Sequence, residues 1–117
     1  MENIVIIGAS KGIGKAISLE LAKKNTHIIL VSRDKENLEK TKLECEEKGG
    51  SAEVFKCDLL NEQDIKGLCG HLKQIKIDIF ISFHKGLVEK RYIILIPPKF
   101  IILFVIFSSY LSDKFSL

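Results

Sequence analysis

Over residues 1–82, segments with unbroken or alternating apolar patterns alternate with segments whose apolar residues recur every three or four positions. The first pattern is typical of buried strands and the second of amphipathic helices. Four strands are predicted, at IVII (4–7), HIILVSRD (27–34), SAEVFKCD (51–58) and IKIDIFIS (75–82). This alternation, with its short connections, predicts an α/β fold with a doubly wound parallel sheet and right-handed crossovers.

Three helices are predicted between these strands, with polar residues at their starts. Asp34 and Asn61 are expected to cap the second and third helices, and Gly49 to end the second. The residues expected on the inner faces are Ala16, Ile17 and Leu21, then Leu38, Thr41 and Cys45, then Ile65, Leu68 and Leu72. We expect the first helix to cover one face of the sheet and the other two helices to cover the opposite face.

The stretch GASKGIG (8–14) joins the first strand to the first helix and contains three glycines. Glycine permits tight turns and a close approach of the backbone to another group. The first amides of a helix have no partners within the helix, and the helix dipole is positive at that end. The stretch therefore predicts an anion-binding site, and the alternative is a purely structural turn.

Ligands of doubly wound sheets bind beyond the carboxyl ends of the strands. Gly8, Arg33, Asp58 and Ser82 stand at the carboxyl ends of the four predicted strands. We therefore expect these residues to line one edge of the sheet.

These residues resemble a known family, the short-chain dehydrogenase/reductases, which use NAD(P). GASKGIG (8–14) matches the family's G-x-x-x-G-x-G signature, CDL (57–59) its D-[LV] motif, and IDIFIS (77–82) its fourth strand. Landmarks in register over about 80 residues are more specific than a glycine motif alone. The resemblance implies a Rossmann-like fold and an oxidoreductase that transfers hydride between NAD(P)(H) and a carbonyl or alcohol.

The resemblance also implies roles for individual residues. Asp58 would accept a hydrogen bond from the adenine amino group, and the alternative is a capping or turn residue. The complete set of implied cofactor-binding residues is Gly8, Ser10, Lys11, Gly12, Ile13, Gly14, Ser32, Arg33, Asp58, Leu59 and Ser82.

The residues after the second strand indicate which cofactor is preferred. An acidic residue there would bind the ribose 2′-hydroxyl of NAD, but this chain has Ser32-Arg33, with Lys11 in the glycine loop. Two cations favour a 2′-phosphate, so we expect NADP(H) to be preferred over NAD(H). The alternative for both cations is a solvated surface charge.

The composition changes near residue 82, which separates a partial NAD(P)-binding domain (1–82) from a divergent apolar tail (83–117). Residues 1–82 carry 13 basic and 13 acidic side chains, whereas residues 83–117 carry 5 and 2. We rank a truncated or frame-shifted tail first, a divergent fifth strand ending at Ser108 or Ser109 second, and a membrane anchor through residues 92–111 third. Pro97 and Pro98 interrupt that apolar run, whereas a spanning helix needs about 20 apolar residues.

The tail contains three catalytic candidates, Ser109, Tyr110 and Lys114. In the family, Tyr moves a proton at the substrate oxygen, Lys lowers the pKa of that Tyr, and Ser orients the substrate. The family's Ser lies much further ahead of its Tyr, so we interpret the match as accidental. We expect this chain alone to be inactive.

The remaining properties fit a cytoplasmic protein without nucleic-acid binding. The 117-residue chain has a formal net charge of +3, and its three cysteines, Cys45, Cys57 and Cys69, lie in separate elements, as in a reduced protein. The first strand starts too early for a leader, and open sheet edges favour association into homo-oligomers. Two other functions stay open, an inactive nucleotide-binding or regulatory module and a membrane-tethered reductase fragment.

Overall fold

The sheet contains five parallel strands in the order β3-β2-β1-β4-β5. The structure is a computed structural model that describes residues 1–82 and 101–103. Its elements are β1 (Glu2–Ile7), α1 (Gly12–Leu21), β2 (Thr26–Ser32), α2 (Lys35–Glu47), β3 (Ser51–Lys56), α3 (Glu62–Leu72), β4 (Ile79–Ser82) and β5 (Ile101–Leu103). The doubly wound parallel sheet predicted from the sequence is confirmed.

The strand register brings the carboxyl ends of β1 to β4 to one edge of the sheet. Ile7 at the end of β1 pairs with Val31 on one side and Ser82 on the other. Ser32 at the end of β2 pairs with Lys56 at the end of β3. The loops that follow these strands therefore meet at one edge, which we call the carboxyl edge.

The two faces of the sheet are covered by different helices. On one face, the side chains of Ile4, Ile6, Ile28 and Leu30 form a core with Leu38 and Cys45 of α2 and the partly buried Ile17 of α1. On the other face, those of Val5, Ile7, Ile29, Val31 and Phe80 form a core with Leu68 and Leu72 of α3.

The prediction that α2 lies with α3, opposite α1, is therefore wrong. The chain steps in one direction from β1 to β2 to β3, so two right-handed crossovers place α1 and α2 on the same face. The return from β3 across the sheet to β4 reverses the direction and places α3 on the opposite face.

The inner face of α1 also differs from its prediction. Gly14 and Ser18 are the buried residues of this helix, whereas Ala16 is exposed and Ile17 and Leu21 are partly buried. The buried Ser18 hydroxyl donates a 2.7 Å hydrogen bond to the Gly14 carbonyl oxygen, which satisfies its polar group inside the helix. Small residues on this face let α1 approach the sheet closely.

The predicted starts of α2 and α3 are confirmed, as is the end of α2. The Asp34 side chain accepts a hydrogen bond from the backbone N–H of Asn37. The Asn61 side chain accepts from the backbone N–H groups of residues 63 and 64. Gly49, with φ +93°, follows α2 in the left-handed region that favours glycine.

A fifth strand is present in the described part of the tail. β5 pairs with β4 in parallel, with Ile101 beside Ile79 and Leu103 beside Ile81. The predicted end of this strand, at Ser108 or Ser109, lies outside the described residues. Among residues 1–82 and 101–103, no helix has the length and apolar character needed to span a membrane.

Candidate nucleotide-binding site

The loop between β1 and α1 depends on two glycines with left-handed backbone. Gly8 has φ +89° and Gly12 has φ +63°, conformations that side chains with a Cβ adopt at a cost. The Gly8 and Ala9 N–H groups donate to the Val31 carbonyl oxygen at 2.8 and 3.3 Å. These bonds hold the start of the loop against the end of β2.

Gly14 has a different role, which is to let α1 approach the end of β1. A Cβ on Gly14 would overlap the carbonyl oxygen of Gly8 and lie 2.7 Å from its carbonyl carbon. The space that Gly14 leaves is therefore filled by the protein's own backbone. The first turn of α1 is held directly beyond β1 as a result.

The N-terminus of α1 lacks the side-chain cap that α2 and α3 have. Lys11 at the N-cap makes no side-chain capping hydrogen bond, and the first turn contains no acidic residue. Asp34 and Asn61 cap α2 and α3, and acidic residues occupy the first turns of both. The first amides of α1 are therefore available to an anion, and the helix dipole attracts one.

Other loop residues differ in exposure. The Ser10 side chain is buried, Ile13 is half-buried, and Lys11 and Gly12 are exposed.

The Thr41 side chain connects α2 to the glycine loop. Its hydroxyl is fully buried and lies 3.3 Å from the Ala9 carbonyl oxygen and 3.1 Å from that of Asn37. The spacing of apolar positions predicts Thr41 on the inner face of its helix. The contact with Ala9 was missed, because no sequence signal links residues 32 positions apart.

The end of β2 presents a cation and a restrained carboxylate. Arg33 is exposed and makes no ion pair with any residue of the described ranges. The Ser32 hydroxyl oxygen accepts from the Asp34 N–H at 2.9 Å. Hydrogen bonds from Asn37 lower the pKa of Asp34 below its ordinary value, and the charges of Lys11 and Lys40 lower it further. Lys11 therefore acts electrostatically at the end of β2, although it belongs to the glycine loop.

The end of β3 places Asp58 in a turn with one carboxylate oxygen left over. Asp58 Oδ1 accepts from the Leu60 N–H at 2.9 Å, and the Asp58 N–H donates to Asp64 Oδ2 at 2.9 Å. Asp58 Oδ2 has no hydrogen-bond partner among the described residues. The turn role and a ligand role are therefore compatible.

The two leucines after Asp58 face in different directions. Leu59 is 2% exposed and belongs to the core under α3, so its side chain is unavailable to a ligand. Leu60 is 48% exposed beside the same turn. A D-[LV] match identifies Leu59 by position but carries no information on which leucine is exposed.

Ser82 lies at the end of β4 with its hydroxyl buried. The residue is 2% exposed, and its Oγ has no hydrogen-bond partner in the described part of the chain. A buried hydroxyl without a partner costs free energy unless a ligand or another group satisfies it. The structure thus brings the ends of β1, β2, β3 and β4, with Gly8, Arg33, Asp58 and Ser82, to the carboxyl edge as expected.

The remaining candidates lie elsewhere. Ser109, Tyr110 and Lys114 are outside the described residues. Cys45 and Cys57 are free thiols whose pKa burial raises to about 11, which disfavours the reactive thiolate.

A polar cluster on the α3 face was also missed. Glu53 on β3 lies 2.7 Å from His71 Nε2 and 3.5 Å from His27 Nε2. His71 also stacks on Phe55, with ring centroids 5.3 Å apart. Strand alternation places His27 on the same face as Ile29, and Glu53 on the same face as Phe55. The register pairs Ile29 with Glu53, so His27 and Glu53 share one face of the sheet. Because α3 contributes His71, the cluster fastens α3 to the edge strand β3.

The fold and the carboxyl edge define a Rossmann-like α/β protein, with its glycine loop after β1 and a strand order that reverses there. Residues 2–82 match the family described as short chain dehydrogenase, which is more than half of the chain. The chain belongs to this family of oxidoreductases.

Three known proteins illustrate the similarity. The fatty acyl-CoA reductase of Acinetobacter baylyi is 42% identical over 64 residues, which cover 55% of this chain and 22% of that enzyme. The crystal structure of a metagenomic short-chain oxidoreductase in complex with NADP is 31% identical, has a TM-score of 0.66, and is matched over 72% of this chain and 39% of that one. NAD+-bound xylitol dehydrogenase is 30% identical with a TM-score of 0.64, over 72% of this chain and 33% of that one.

These comparisons have two consequences. The chain spans about a third or less of the length of the curated relatives it matches. The cofactors named for the two solved structures differ, so family membership alone leaves the choice between NAD and NADP open.

Proposed function

We propose that this chain supplies the nucleotide-binding part of an NADP(H)-dependent oxidoreductase that acts on a carbonyl or alcohol. The observation that carries the proposal is the uncapped N-terminus of α1 beneath the glycine loop, next to the exposed cations of Lys11 and Arg33. In this chain α2 and α3 have side-chain caps, and α1 differs from both at the place where a pyrophosphate would sit.

The residues present fit a dinucleotide. Gly8 and Gly12 lack Cβ atoms at the two left-handed positions of the loop, and the amides at the start of α1 would donate to the pyrophosphate. Asp58 would use its remaining oxygen, Oδ2, for the adenine amino group, beside the exposed Leu60. The buried hydroxyl of Ser82 would gain a partner at the same edge.

The preference for NADP(H) follows from charge at the end of β2. Arg33 is exposed without an ion-pair partner in the described ranges, and its guanidinium can form a bidentate charge-assisted pair with a 2′-phosphate. The charge of Lys11 reaches the same end of β2, since it lowers the pKa of Asp34. Two cations at this place would attract a phosphate more strongly than a neutral hydroxyl.

When bound, the cofactor supplies hydride transfer at its nicotinamide ring. The described residues of this chain bind and orient the adenine end and the pyrophosphate. We infer that the substrate is a carbonyl or alcohol, as the reductase and dehydrogenase relatives suggest by name. The three unpaired cysteines favour a reducing compartment such as the cytoplasm.

A second candidate is a nucleotide-binding module without catalysis. It is favoured by the make-up of the candidate site in residues 1–82, where the glycine loop, the uncapped start of α1 and Asp58 are all features suited to binding a nucleotide. Assay of a carbonyl panel with NADPH separates the two candidates. Activity that Tyr110→Phe reduces by about a hundredfold would identify Tyr110 as a working proton donor and exclude the module.

The nucleotide-binding proposal is tested by isothermal titration calorimetry, in which the full chain is titrated with NADPH and, separately, with NADH. Tighter binding of NADPH supports the proposal. Equal affinity for the two cofactors contradicts the NADP preference, and absence of binding to both contradicts nucleotide binding as a whole.

A further inference from the structure

We propose that Asn37 is a positioning residue for cofactor selectivity, because it holds the carboxylate of Asp34 away from the 2′-position. The inference rests on the proposed function, since it concerns the same end of β2. Asn37 lies in the first turn of α2 and is not expected to touch the cofactor itself.

The need for such a residue arises from the sequence S-R-D at positions 32–34. A carboxylate near the end of β2 can bind the ribose 2′-hydroxyl of NAD, and it repels a 2′-phosphate. Asp34 follows Arg33 directly, and hydrogen bonds favour its ionised form. An unrestrained Asp34 would therefore oppose the effect of Arg33.

Both carboxylate oxygens of Asp34 accept hydrogen bonds from the same residue, Asn37. Oδ1 accepts from the Asn37 backbone N–H at 3.1 Å, and Oδ2 accepts from the Asn37 side-chain amide Nδ2 at 2.5 Å. Asp34 is exposed, so burial does not fix its orientation. The side-chain amide of Asn37 therefore determines where the second oxygen points.

The orientation of the Asp34 carboxylate matters because two cations, Lys11 and Arg33, lie near it. Lys11 is close enough for its charge to lower the pKa of Asp34, and Arg33 is the adjacent residue. Without the amide of Asn37, Oδ2 is free to pair with either cation. Each such pair would neutralise a charge that otherwise attracts the phosphate.

The backbone around Asn37 is held independently of its side chain. The Thr41 hydroxyl donates to the Asn37 carbonyl oxygen at 3.1 Å, and the Leu38 N–H donates to the Asp34 carbonyl oxygen at 3.0 Å. The Asn37 N–H can still donate to Asp34 Oδ1, the cap of α2, whichever side chain stands at position 37. Replacing the side chain therefore changes the carboxylate and leaves the helix start in place.

The experiment is a double-mutant cycle on selectivity, measured on the full chain. The readout is the ratio of the NADH to the NADPH dissociation constant. Asn37→Ala is expected to lower this ratio about three- to tenfold, the size of one charge-assisted hydrogen bond redirected at an exposed site. Asn37→Leu removes the same amide while keeping a larger side chain, and leucine, like alanine, favours a helix more than asparagine does. It should give the same result and serves as the second variant if Asn37→Ala fails to fold.

The second arm repeats the substitution in an Asp34→Ser background, where the cap is retained and the carboxylate is absent. There Asn37→Ala should leave the ratio unchanged. If Asn37→Ala left the ratio unchanged in the wild-type background, or lowered it equally in both backgrounds, this inference would be wrong and the proposed function would be unaffected. Failure of the wild-type chain to bind either cofactor would overturn the proposed function and this inference with it.

Discussion

The backbone of Gly8 occupies the space into which a side chain on Gly14 would project. An added Cβ on Gly14 would overlap the Gly8 carbonyl oxygen and come within 3.3 Å of the Ala9 amide nitrogen. The helix and the loop that form the candidate site are thus in direct backbone contact. The last glycine of GASKGIG serves packing first, and ligand binding depends on that packing.

Gly14→Ala is therefore expected to destabilise the protein and weaken nucleotide binding together. The obstructing atoms are backbone, so α1 must move away from β1 to accept even one methyl group. We expect a loss of about 1–3 kcal/mol in the free energy of unfolding, as for other overpacked sites. Denaturant unfolding and NADPH titration measure the two effects.

Gly70→Ala is the matched control, because the same substitution in α3 meets no atom within 4 Å. Replacing an unobstructed helical glycine should stabilise the protein by about 0.5–1 kcal/mol and leave cofactor affinity unchanged. Opposite signs for the two variants are expected. If Gly14→Ala proved as harmless as Gly70→Ala, the packing account of Gly14 would be wrong.

Arg33→Asp should weaken NADPH binding about ten- to hundredfold, the value of a lost charge-assisted pair of about 1.5–3 kcal/mol. NADH binding should be nearly unchanged or improved, since a carboxylate there can accept from the ribose hydroxyl. The measurement is calorimetric titration with both cofactors. If the affinities for NADPH and NADH fell equally, Arg33 would contribute to the stability of the site and not to the choice of cofactor.

Arg33→Lys serves as the conservative comparison. It keeps the positive charge but loses the planar fork that pairs with two phosphate oxygens. NADPH affinity should fall between those of the wild type and Arg33→Asp. An affinity equal to that of the wild type would indicate that charge alone is sufficient.

Thr41→Val should loosen the glycine loop without enlarging the core. The two side chains have similar volumes, but valine leaves the carbonyl oxygens of Ala9 and Asn37 without the Thr41 hydroxyl, which lies 3.3 and 3.1 Å from them. We expect a loss of about 0.5–1.5 kcal/mol in stability, and weaker NADPH binding. Thr41→Ser keeps the hydroxyl and should retain affinity while losing some stability. Weaker binding in both variants would assign the effect to packing.

The features that depend on residues close together in the sequence, or on the general geometry of parallel strands, could be predicted. Asp34 and Asn61 contact N–H groups two or three residues ahead, so their capping roles follow from local spacing. The ends of parallel strands meet by geometry, which is why Arg33, Asp58 and Ser82 reach one edge as expected.

Features that depend on the strand order could not be predicted in the same way. The face covered by α2 follows from the position of β3 beyond β2, which hydrophobic periodicity does not encode. Ala16 is exposed because α1 buries the face that carries Gly14 and Ser18 instead. The contacts of Thr41 with Ala9, and of Glu53 with His71, join residues distant in sequence.

The Glu53 cluster provides a test of how α3 is attached to the edge of the sheet. Glu53 pairs with His71 of α3 at 2.7 Å and faces His27 of β2 at 3.5 Å, and all three side chains are partly exposed. Because solvent screens such contacts, Glu53→Ala should cost only about 0.5–1.5 kcal/mol in the free energy of unfolding. Lys66→Ala is the control, since it removes an exposed ion pair with Glu62 within one helix, leaves the acidic first turn of α3 intact, and should change stability by less than about 0.5 kcal/mol.

Cofactor affinity distinguishes a local role of Glu53 from a global one. Glu53 lies within β3, whereas the candidate site lies beyond the carboxyl end of that strand. A folded Glu53→Ala chain should therefore bind NADPH as the wild type does, while amides of α3 exchange with solvent faster. Hydrogen exchange followed by mass spectrometry measures that local opening. Equal exchange in the two chains would show that the cluster does not fasten α3, because the hydrophobic contacts of Leu68 and Leu72 would then suffice to hold the helix.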